Sequence, residues 1–513
     1  MLSFATFLLV FVSQTPVAAA AQEPVVTAPV DQLSHQERLQ RAFIYSTGAR
    51  FIVQLELDAA LEAEIQRRTL AGGFVGQVEL SPEDVDFEVQ RRMEMVLAQD
   101  PTVDFWGLMR GQGFTPITFA QEVRRTLLGQ RMFFPLDPEQ WPVAELKEIM
   151  LPRWEESLSA DHQTLLKMKA KGEYRLLEDG QLHQFLMPSV WQWLHRQIEI
   201  TYPSSGLAEG ICLRINGKDY RTADVLAQIE PLLTDVDRAW ATNFVTNVEL
   251  LEADLKASGH YLDQEAFEAY FAEEQGGYND FFPHEQMVQQ YYGFPSMETY
   301  RQYLRVRRSF RTTLPSADTP EYQAFVEQIL LLYKSSFGGG RVWTEVLLLS
   351  ARNKETGLFA QHGDPFAKAA ERAKEVGSLL AKGEPFAQVL LEYSDFPPSV
   401  SGASNPEAQF NRGRFENLQR HELRDFLNEN AYTDFLFGHS ITDELFFNAE
   451  EKSIYGPVRG PLGYYFYRVL SHKAPRKEVN LDTDPRMSWQ VHEDLLTYHF
   501  LAHLQTLQHT LHK

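Results

Sequence analysis

Cysteine is almost absent from this chain, since Cys212 is the only one among its 513 residues. A single thiol cannot form an intramolecular disulfide, and it excludes a metal cluster built from several cysteines. It also excludes a lipidated cysteine after the amino-terminal apolar segment. We expect Cys212 to be a buried, unreactive thiol.

Basic residues are scarce relative to acidic ones. The chain has 48 Lys and Arg against 70 Asp and Glu, a formal net charge of −22. Such a surface repels a phosphate backbone, so nucleic acid is not expected as a partner. The same charge favours solubility.

Long apolar runs are also missing beyond the first residues. A membrane-spanning helix needs about 20 consecutive apolar residues, and no later run approaches that length. We therefore expect no stable membrane insertion. Residues 1–21 contain the short apolar run SFATFLLVFV followed by the small residues VAAAA, a pattern typical of a signal peptide. The prediction is an exported protein, periplasmic or extracellular and soluble after removal of that segment.

Several chemical motifs are absent. No G-x-S-x-G occurs to support a serine nucleophile, and the glycines at 338–340 lack the Lys of a phosphate-binding loop. His499 and His503 stand four residues apart near the carboxyl end, but no third ligand accompanies them. We predict that they are packing or surface histidines, with no metal site and no cofactor.

Much of the first two thirds of the chain has helical periodicity. Apolar residues recur three and four apart in FIVQLELDAALEAEI and in VDFEVQRRMEMVL. A Gly-Phe turn followed by an amphipathic helix occurs twice, at Gly113-Phe114 and at Gly293-Phe294. Between the copies, Asn216-Gly217 predicts a tight turn between short strands. These features predict a duplicated all-α helical module.

Residues 342–470 follow a different pattern. VWTEVLLLS at their start and GYYFYRVL at their end alternate with period two and are apolar on both faces, which predicts two central strands. Between them, Asp364-Pro365 and Glu384-Pro385 are typical helix starts. The order strand, helix, helix, loop and strand predicts a compact α+β domain.

This stretch resembles the parvulin (PpiC-type) peptidyl-prolyl isomerase domain. The resemblance is carried by AKGEPFAQVLLEYSD, FNRGRF, LFFNAEEKSIYGPV and GPLGYYFYRV, in that order. The helical modules and the amphipathic carboxy-terminal helix are similar to those of SurA-like periplasmic chaperones. The predicted domains are a signal peptide (1–21), a linker (22–34), a first helical module (35–200), a second one (201–335), the parvulin-like domain (336–475) and a carboxy-terminal helix (476–513).

The resemblance implies where a catalytic centre would lie. Parvulins combine an apolar pocket with two facing histidines and a Cys or Asp. The two histidine positions fall on Glu345 and Tyr465, and the Cys or Asp position falls on Phe396. All three polar positions are thus substituted. We predict that Glu345 and Tyr465 form a structural pair in place of a catalytic one.

The apolar positions of the family pocket are better matched. Phe410 matches the loop Phe, Phe415 the pocket Met and Phe447 the pocket Phe, whereas Glu407 stands where a pocket Leu is expected. About 27 residues between Asn417 and Asp443 look inserted. A groove for proline or aromatic side chains is therefore expected without the polar groups.

The resemblance implies a folding factor that binds unfolded or proline-containing polypeptides as a chaperone, with isomerase chemistry weakened or lost. Two alternatives remain open at this point. One is an active peptidyl-prolyl cis-trans isomerase working with unfamiliar residues. The other is a scaffold protein of the cell envelope with one fixed partner.

Overall fold

The computed structural model describes residues 33–70, 80–133, 190–277, 284–332, 340–353, 357–360, 362–396, 409–473 and 485–511, with isolated positions between 139 and 170. The predicted signal peptide, most of the linker and Glu407 lie outside these residues. The chain divides into two compact units. Unit 1 comprises residues 1–232 and 272–287, and unit 2 comprises 233–271 and 288–513.

Unit 1 combines helices with a small antiparallel sheet. Its helices of seven residues or more are α1 (His35–Tyr45), α2 (Ala49–Leu70), α3 (Pro82–Gln99), α4 (Phe105–Gly111), α5 (Pro116–Phe133) and α6 (Thr222–Ile229). Its strands are β1 (Ile200–Thr201), β2 (Ile211–Ile215) and β3 (Lys218–Arg221), in that order in the sheet. Short 3-10 turns lie at Pro203–Ser205 and Glu230–Leu232. The turn between β2 and β3 has positive φ at Asn216 and Gly217, as the sequence predicts.

Cys212 lies on β2 within the core between the sheet and helices α1, α2 and α6. The residue is fully buried, and burial raises the pKa of its thiol to about 12. The thiolate that would react is therefore suppressed at neutral pH. The prediction that Cys212 is buried is confirmed.

Unit 2 contains further helices and a five-stranded antiparallel sheet. The helices are α7 (Asp235–Ala257), α8 (Gln264–Gly276, whose last residues belong to unit 1), α9 (Met297–Arg311), α10 (Pro320–Leu332), α11 (Pro365–Ala381), α12 (Phe386–Tyr393), α13 (Arg420–Leu427), α14 (Ala431–Phe437) and α15 (Pro485–Leu511). The three-residue helix Ile441–Asp443 continues as a π-helical turn at Glu444–Asn448. The three-residue helix His284–Gln286, which belongs to unit 1, likewise continues as a π-helical turn at Met287–Tyr291.

The five strands are β4 (Arg341–Ser350), β5 (Gln409–Asn411), β6 (Arg414–Leu418), β7 (Tyr455–Gly460) and β8 (Gly463–Lys473). Their spatial order is β5-β6-β4-β8-β7. Both strands predicted to be central, β4 and β8, are flanked on each side. Helix α11 begins where the sequence predicts, because the Asp364 carboxylate accepts hydrogen bonds from the amides of Phe366 and Ala367. The chain is a multidomain α and α+β protein.

The two Gly-Phe turns share a glycine with positive φ and a buried phenylalanine, but their closing hydrogen bonds differ by one residue in span. Gly113 and Gly293 have φ of 82° and 76°, and the Phe after each is buried. The amide of Phe114 donates to the Met109 carbonyl in unit 1 (2.9 Å), and that of Phe294 donates to the Val288 carbonyl in unit 2 (3.1 Å). Each unit therefore contains one copy of the predicted turn.

The carboxy-terminal helix α15 packs against α7, α9 and α10 within unit 2. Its predicted apolar stripe is buried at Val491, Leu495, Leu496, Phe500 and Leu504. The amphipathic pattern of this helix also places Trp489 on the apolar stripe, and that expectation is wrong because Trp489 is 59% exposed. The residue lies in the first turn and a half of the helix, ahead of the buried segment. Among the described helices, none is long and apolar enough to cross a bilayer.

Candidate functional site

The centre of the sheet is the antiparallel pair β4 and β8. Leu348 lies opposite Tyr465, and Glu345 lies opposite Arg468. Successive side chains on a strand point to opposite faces. We call one side the pocket face, which carries Val346, Leu348, Tyr465 and Tyr467. The other is the helix face, which carries Leu347, Leu349 and Phe466 and is covered by α11 and α12.

The pocket face brings together four of the residues predicted from the sequence. Phe396, Phe415 and Tyr465 are all buried in its apolar cluster, and the partly buried Phe447 packs against the same cluster. The rings of Phe396 and Phe415 meet edge to face, with 5.6 Å between their centroids. Because the first three side chains are buried, they form part of a packed core and do not line an open groove.

Tyr465 is the only hydroxyl among these four. Its oxygen accepts a hydrogen bond from the Leu462 amide at 3.2 Å. Burial raises the pKa of the phenol well above its ordinary value, so the group stays neutral and protonated. The residue directly across on β4 is the apolar Leu348. Tyr465, the residue predicted to stand at the second histidine position, is thus a buried phenol facing an aliphatic side chain.

The predicted pairing of Glu345 with Tyr465 is wrong. The Glu345 carboxylate accepts a hydrogen bond from Arg468 Nε at 2.6 Å, and the guanidinium of Arg468 lies over the Phe386 ring on the helix face. Glu345 is the residue directly before Val346, which lies on the pocket face. A shift of one residue along a strand transfers a side chain to the other face. The carboxylate and the phenol therefore do not converge on one pocket.

Polar groups beside Phe396 hold the segment after α12 against the sheet. The buried Asp395 carboxylate accepts from both terminal nitrogens of Arg372 on α11, at 2.6 and 3.1 Å. It also accepts from the Ser350 amide at the end of β4 (2.8 Å). These bonds fix the segment after α12 against the sheet. The Asp adjacent to the family's Cys or Asp position thus has a structural role.

Two predicted residues are only partly placed. Phe410 lies on β5, where its backbone pairs with Phe415 of β6, but its side chain is outside the described residues. Glu407 lies wholly outside them. The β5-β6 connection is a tight turn with positive φ at Arg412 and Gly413. A side chain at Gly413 would lie 2.1 Å from the Val346 carbonyl oxygen, so glycine is required there.

The inserted segment covers the pocket face, which the sequence analysis did not foresee. Leu423, Phe426 and Leu427 of α13 pack in the same cluster as Phe415, and the Phe426 and Phe415 rings lie 5.3 Å apart. A helix signal was present in the sequence, because Gln419 and Glu422 form a capping box before these apolar residues. This signal does not indicate which surface the helix packs against.

The histidines of α15 make packing contacts. His492 Nδ1 lies 2.9 Å from the Tyr322 hydroxyl, His503 Nε2 lies 2.9 Å from Asp254, and His499 packs on the Phe325 ring. Burial lowers the pKa of both His492 and His499. In the part of the chain that the structure describes, no three metal-ligating side chains come together.

Comparisons with known proteins give a limited likeness. No protein-family model matches the chain, and neither does any curated protein sequence. Among solved structures, the chain is similar to a peptidylprolyl isomerase (PrsA) from Bacillus cereus, with 11% identity and a TM-score of 0.17. It is also similar to PrsA from Bacillus subtilis, with 11% identity and a TM-score of 0.16. Each alignment covers 57% of this chain and 90% of the other.

Proposed function

We propose that the protein is a folding factor that binds unfolded or extended polypeptides, and that its isomerase chemistry is weakened or lost. The observation that carries the proposal is the composition of the pocket face. Phe396 and Tyr465 stand there at two family catalytic positions, both buried among apolar side chains. The third such position, Glu345, is paired with Arg468 on the helix face.

Isomerisation of a prolyl bond needs more than an apolar contact. Its rotational barrier is about 18–20 kcal/mol, and catalysis requires groups that stabilise the twisted amide more than either planar form. A buried phenol that already accepts the Leu462 amide, across from Leu348, does not supply such a set. The pocket face therefore lacks the polar groups that acceleration needs.

Exposed apolar side chains in unit 1 supply contacts for a client. Phe87 on α3 is 71% exposed and Ile117 on α5 is 67% exposed, and Leu70 at the end of α2 is also exposed. We infer that a client contacts these side chains, since apolar area removed from water favours binding. The net charge of −22 would keep the complexes apart in solution.

The test is a refolding reaction with a proline-limited client, in which aggregation and the slow rate constant are followed together. We expect suppressed aggregation with an unchanged rate constant. Phe87→Ser and Ile117→Ser should each reduce the suppression severalfold. Leu331→Ser is the matched control, since Leu331 is equally exposed but lies in unit 2.

Two other outcomes would redirect the proposal. Acceleration of the slow phase that is lost in Tyr465→Phe would identify an active isomerase. Neither suppression nor acceleration, with one partner recovered in stoichiometric amount, would identify an envelope scaffold.

The proposal includes export to the periplasm or the cell exterior, with the predicted domain layout of two helical modules, a parvulin-like domain and a carboxy-terminal helix. The small residues before Gln22 support cleavage at that point. Amino-terminal sequencing of the protein from its native host should give a chain that starts at Gln22. A chain that retains residues 1–21 would contradict this part.

A further inference from the structure

The segment between β6 and the π-helical turn, residues 419–440, is here called the insert. It contains α13 and α14, which contact different parts of unit 2. Helix α13 covers the pocket face through Leu423, Phe426 and Leu427. The side chains that the family uses to grip proline are thereby covered by the protein's own chain.

Helix α14 lies in an aromatic groove between α7, α9 and α15. The Tyr432 ring lies 5.3 Å from that of Phe294, and the Phe435 ring lies 5.1 Å from Tyr303 and 5.6 Å from Phe244. Two aromatic residues at i and i+3 thus anchor a short helix in an apolar groove. Polypeptide clients are recognised through this kind of contact.

Hydrogen bonds to the backbone of the insert also hold it in the groove. The Asn247 side-chain amide on α7 donates to the Phe435 carbonyl at 2.8 Å. The Tyr432 amide donates to the Tyr292 carbonyl at 3.1 Å. Contacts to the main chain of the occupant are independent of its sequence, so the groove is suited to other segments that carry similar aromatic residues.

Unit 1 shows how the same turn is completed without an insert. The Gln112 carbonyl, which is equivalent to that of Tyr292, accepts from Arg50 Nη1 at 3.0 Å. The guanidinium of Arg50 lies 4.0 Å from the centre of the Phe114 ring, where unit 2 has Tyr432 beside Phe294. In unit 1 the Arg50 side chain of α2 therefore makes the contacts that the insert makes in unit 2. The Gly-Phe turn does not need an inserted helix to fold.

Ion pairs form a seam that ties the insert to its surroundings and joins its two helices. Arg420 pairs with Asp443 (2.8 and 2.9 Å) and with Asp494 on α15 (3.1 Å), whereas Arg424 of α13 pairs with Asp434 of α14 (2.7 Å) inside the insert. Buried ion pairs define an arrangement without adding much net stability compared with apolar packing. Such ion pairs suit an insert that has one defined closed position and is able to open.

We propose that the insert is an internal occupant of a second polypeptide-binding surface, and that it leaves the pocket face and the aromatic groove when a client with paired aromatic residues binds there. This inference rests on the proposed function. The partner is an unfolded segment with aromatic residues three or four positions apart. The insert would then act as a competitive, built-in ligand.

A reversible lock tests the inference in the full-length protein. An ideal Cβ at Gly438 lies 3.6 Å from Gln505 Cγ, which is compatible with a disulfide between cysteines at these positions. The double variant Gly438→Cys/Gln505→Cys would tie the insert to α15 when oxidised. Cys212 does not interfere because it is buried. The single variant Gly438→Cys controls for the strain of a side chain at φ 74°.

The probe is a labelled synthetic peptide with the sequence of residues 428–438, and its control carries Ser in place of Tyr432 and Phe435. We expect the reduced double variant to bind the probe at least tenfold more tightly than the oxidised one and to bind the control peptide no better than the oxidised form does. Reduction of the oxidised protein should restore binding. Equal binding by both redox forms would overturn the inference.

A second measurement needs no client. Native-state hydrogen exchange should show the amides of residues 423–437 opening in the reduced form with less free energy than global unfolding, and oxidation should remove that opening. Exchange of these amides only through global unfolding would contradict the inference. If the protein also fails to suppress aggregation, the proposed function fails separately, because the exchange result does not depend on it.

Discussion

At the scale of single residues, the structure places Glu345 and Tyr465 on opposite faces of the sheet, although the sequence analysis paired them. Glu345 belongs to an ion pair with Arg468, and Tyr465 belongs to an apolar cluster on the other side of the sheet. The two side chains that the sequence analysis paired are thus both structural, but they stabilise different faces. Their energetic contributions should therefore be independent.

A double-mutant cycle tests this independence. Glu345→Ala and Arg468→Ala should show a coupling energy of about 0.5–3 kcal/mol, the range found for residues in contact. Glu345→Ala and Tyr465→Phe should be additive within about 0.5 kcal/mol. Urea unfolding of the four proteins in each cycle gives these values. Coupling between Glu345 and Tyr465 instead of Arg468 would contradict the assignment of faces.

The Tyr465 hydroxyl has a contribution of its own. In Tyr465→Phe the partly buried Leu462 amide loses its acceptor; a fully buried unpaired donor costs about 1–3 kcal/mol, which is the upper limit here. We expect a corresponding loss of unfolding free energy with no loss of aggregation suppression. A variant of unchanged stability would mean that water or another group replaces the hydroxyl.

At the scale of elements, the helix caps and strand alternation were predictable because they depend on neighbours in sequence. Asp364 caps α11, and the β4 and β8 strands lie where alternation indicates. The face of Glu345 was not predictable, since one residue of alignment error reverses it. The position of the insert was not predictable either, because its contacts, such as Asn247 to Phe435, join residues 188 positions apart.

Packing of α13 on the sheet should be a major part of the stability of unit 2. Leu423 is fully buried in the pocket-face cluster. Leu423→Ala should therefore lower the unfolding free energy by about 2–5 kcal/mol. The control Leu331→Ala, at an exposed position, should change it by less than about 0.5 kcal/mol. A small effect of Leu423→Ala would mean that α13 is not firmly docked.

The ionic seam should make the stability of unit 2 depend on pH. Burial raises the pKa of Asp434 to about 7, although Arg424 opposes the shift and Glu429 and Asp443 reinforce it; the Tyr303 hydroxyl of α9 also faces this carboxylate. A raised carboxyl pKa means stability that is complete below the ordinary value near 4 and is lost as pH rises through about 7. The melting temperature should fall between pH 5 and pH 8.

Asp434→Asn identifies the group responsible. The variant cannot ionise, so the decrease attributable to position 434, on the order of 1 kcal/mol per pH unit near pH 7, should disappear. Any remaining slope belongs to other groups, including Asp494, whose pKa burial also raises. Thermal melts of both proteins at matched ionic strength give the comparison. Identical slopes would exclude Asp434 as the source.

At the scale of the whole molecule, the protein combines exposed apolar residues in unit 1 with covered apolar surfaces in unit 2. The sequence was sufficient for the fold class. It was insufficient to show that the expected groove is filled, because the segment that fills it comes from the insertion itself. The open and the covered surfaces suggest two levels of client binding, one always available and one released by competition.

The measurement that tests the central claim most directly is a single refolding reaction of a proline-limited client, with light scattering and the slow-phase rate constant recorded together. The wild-type protein should lower the scattering in proportion to its concentration and leave the rate constant unchanged within error. A rate constant that rises with protein concentration and returns to the uncatalysed value in Tyr465→Phe would contradict the claim.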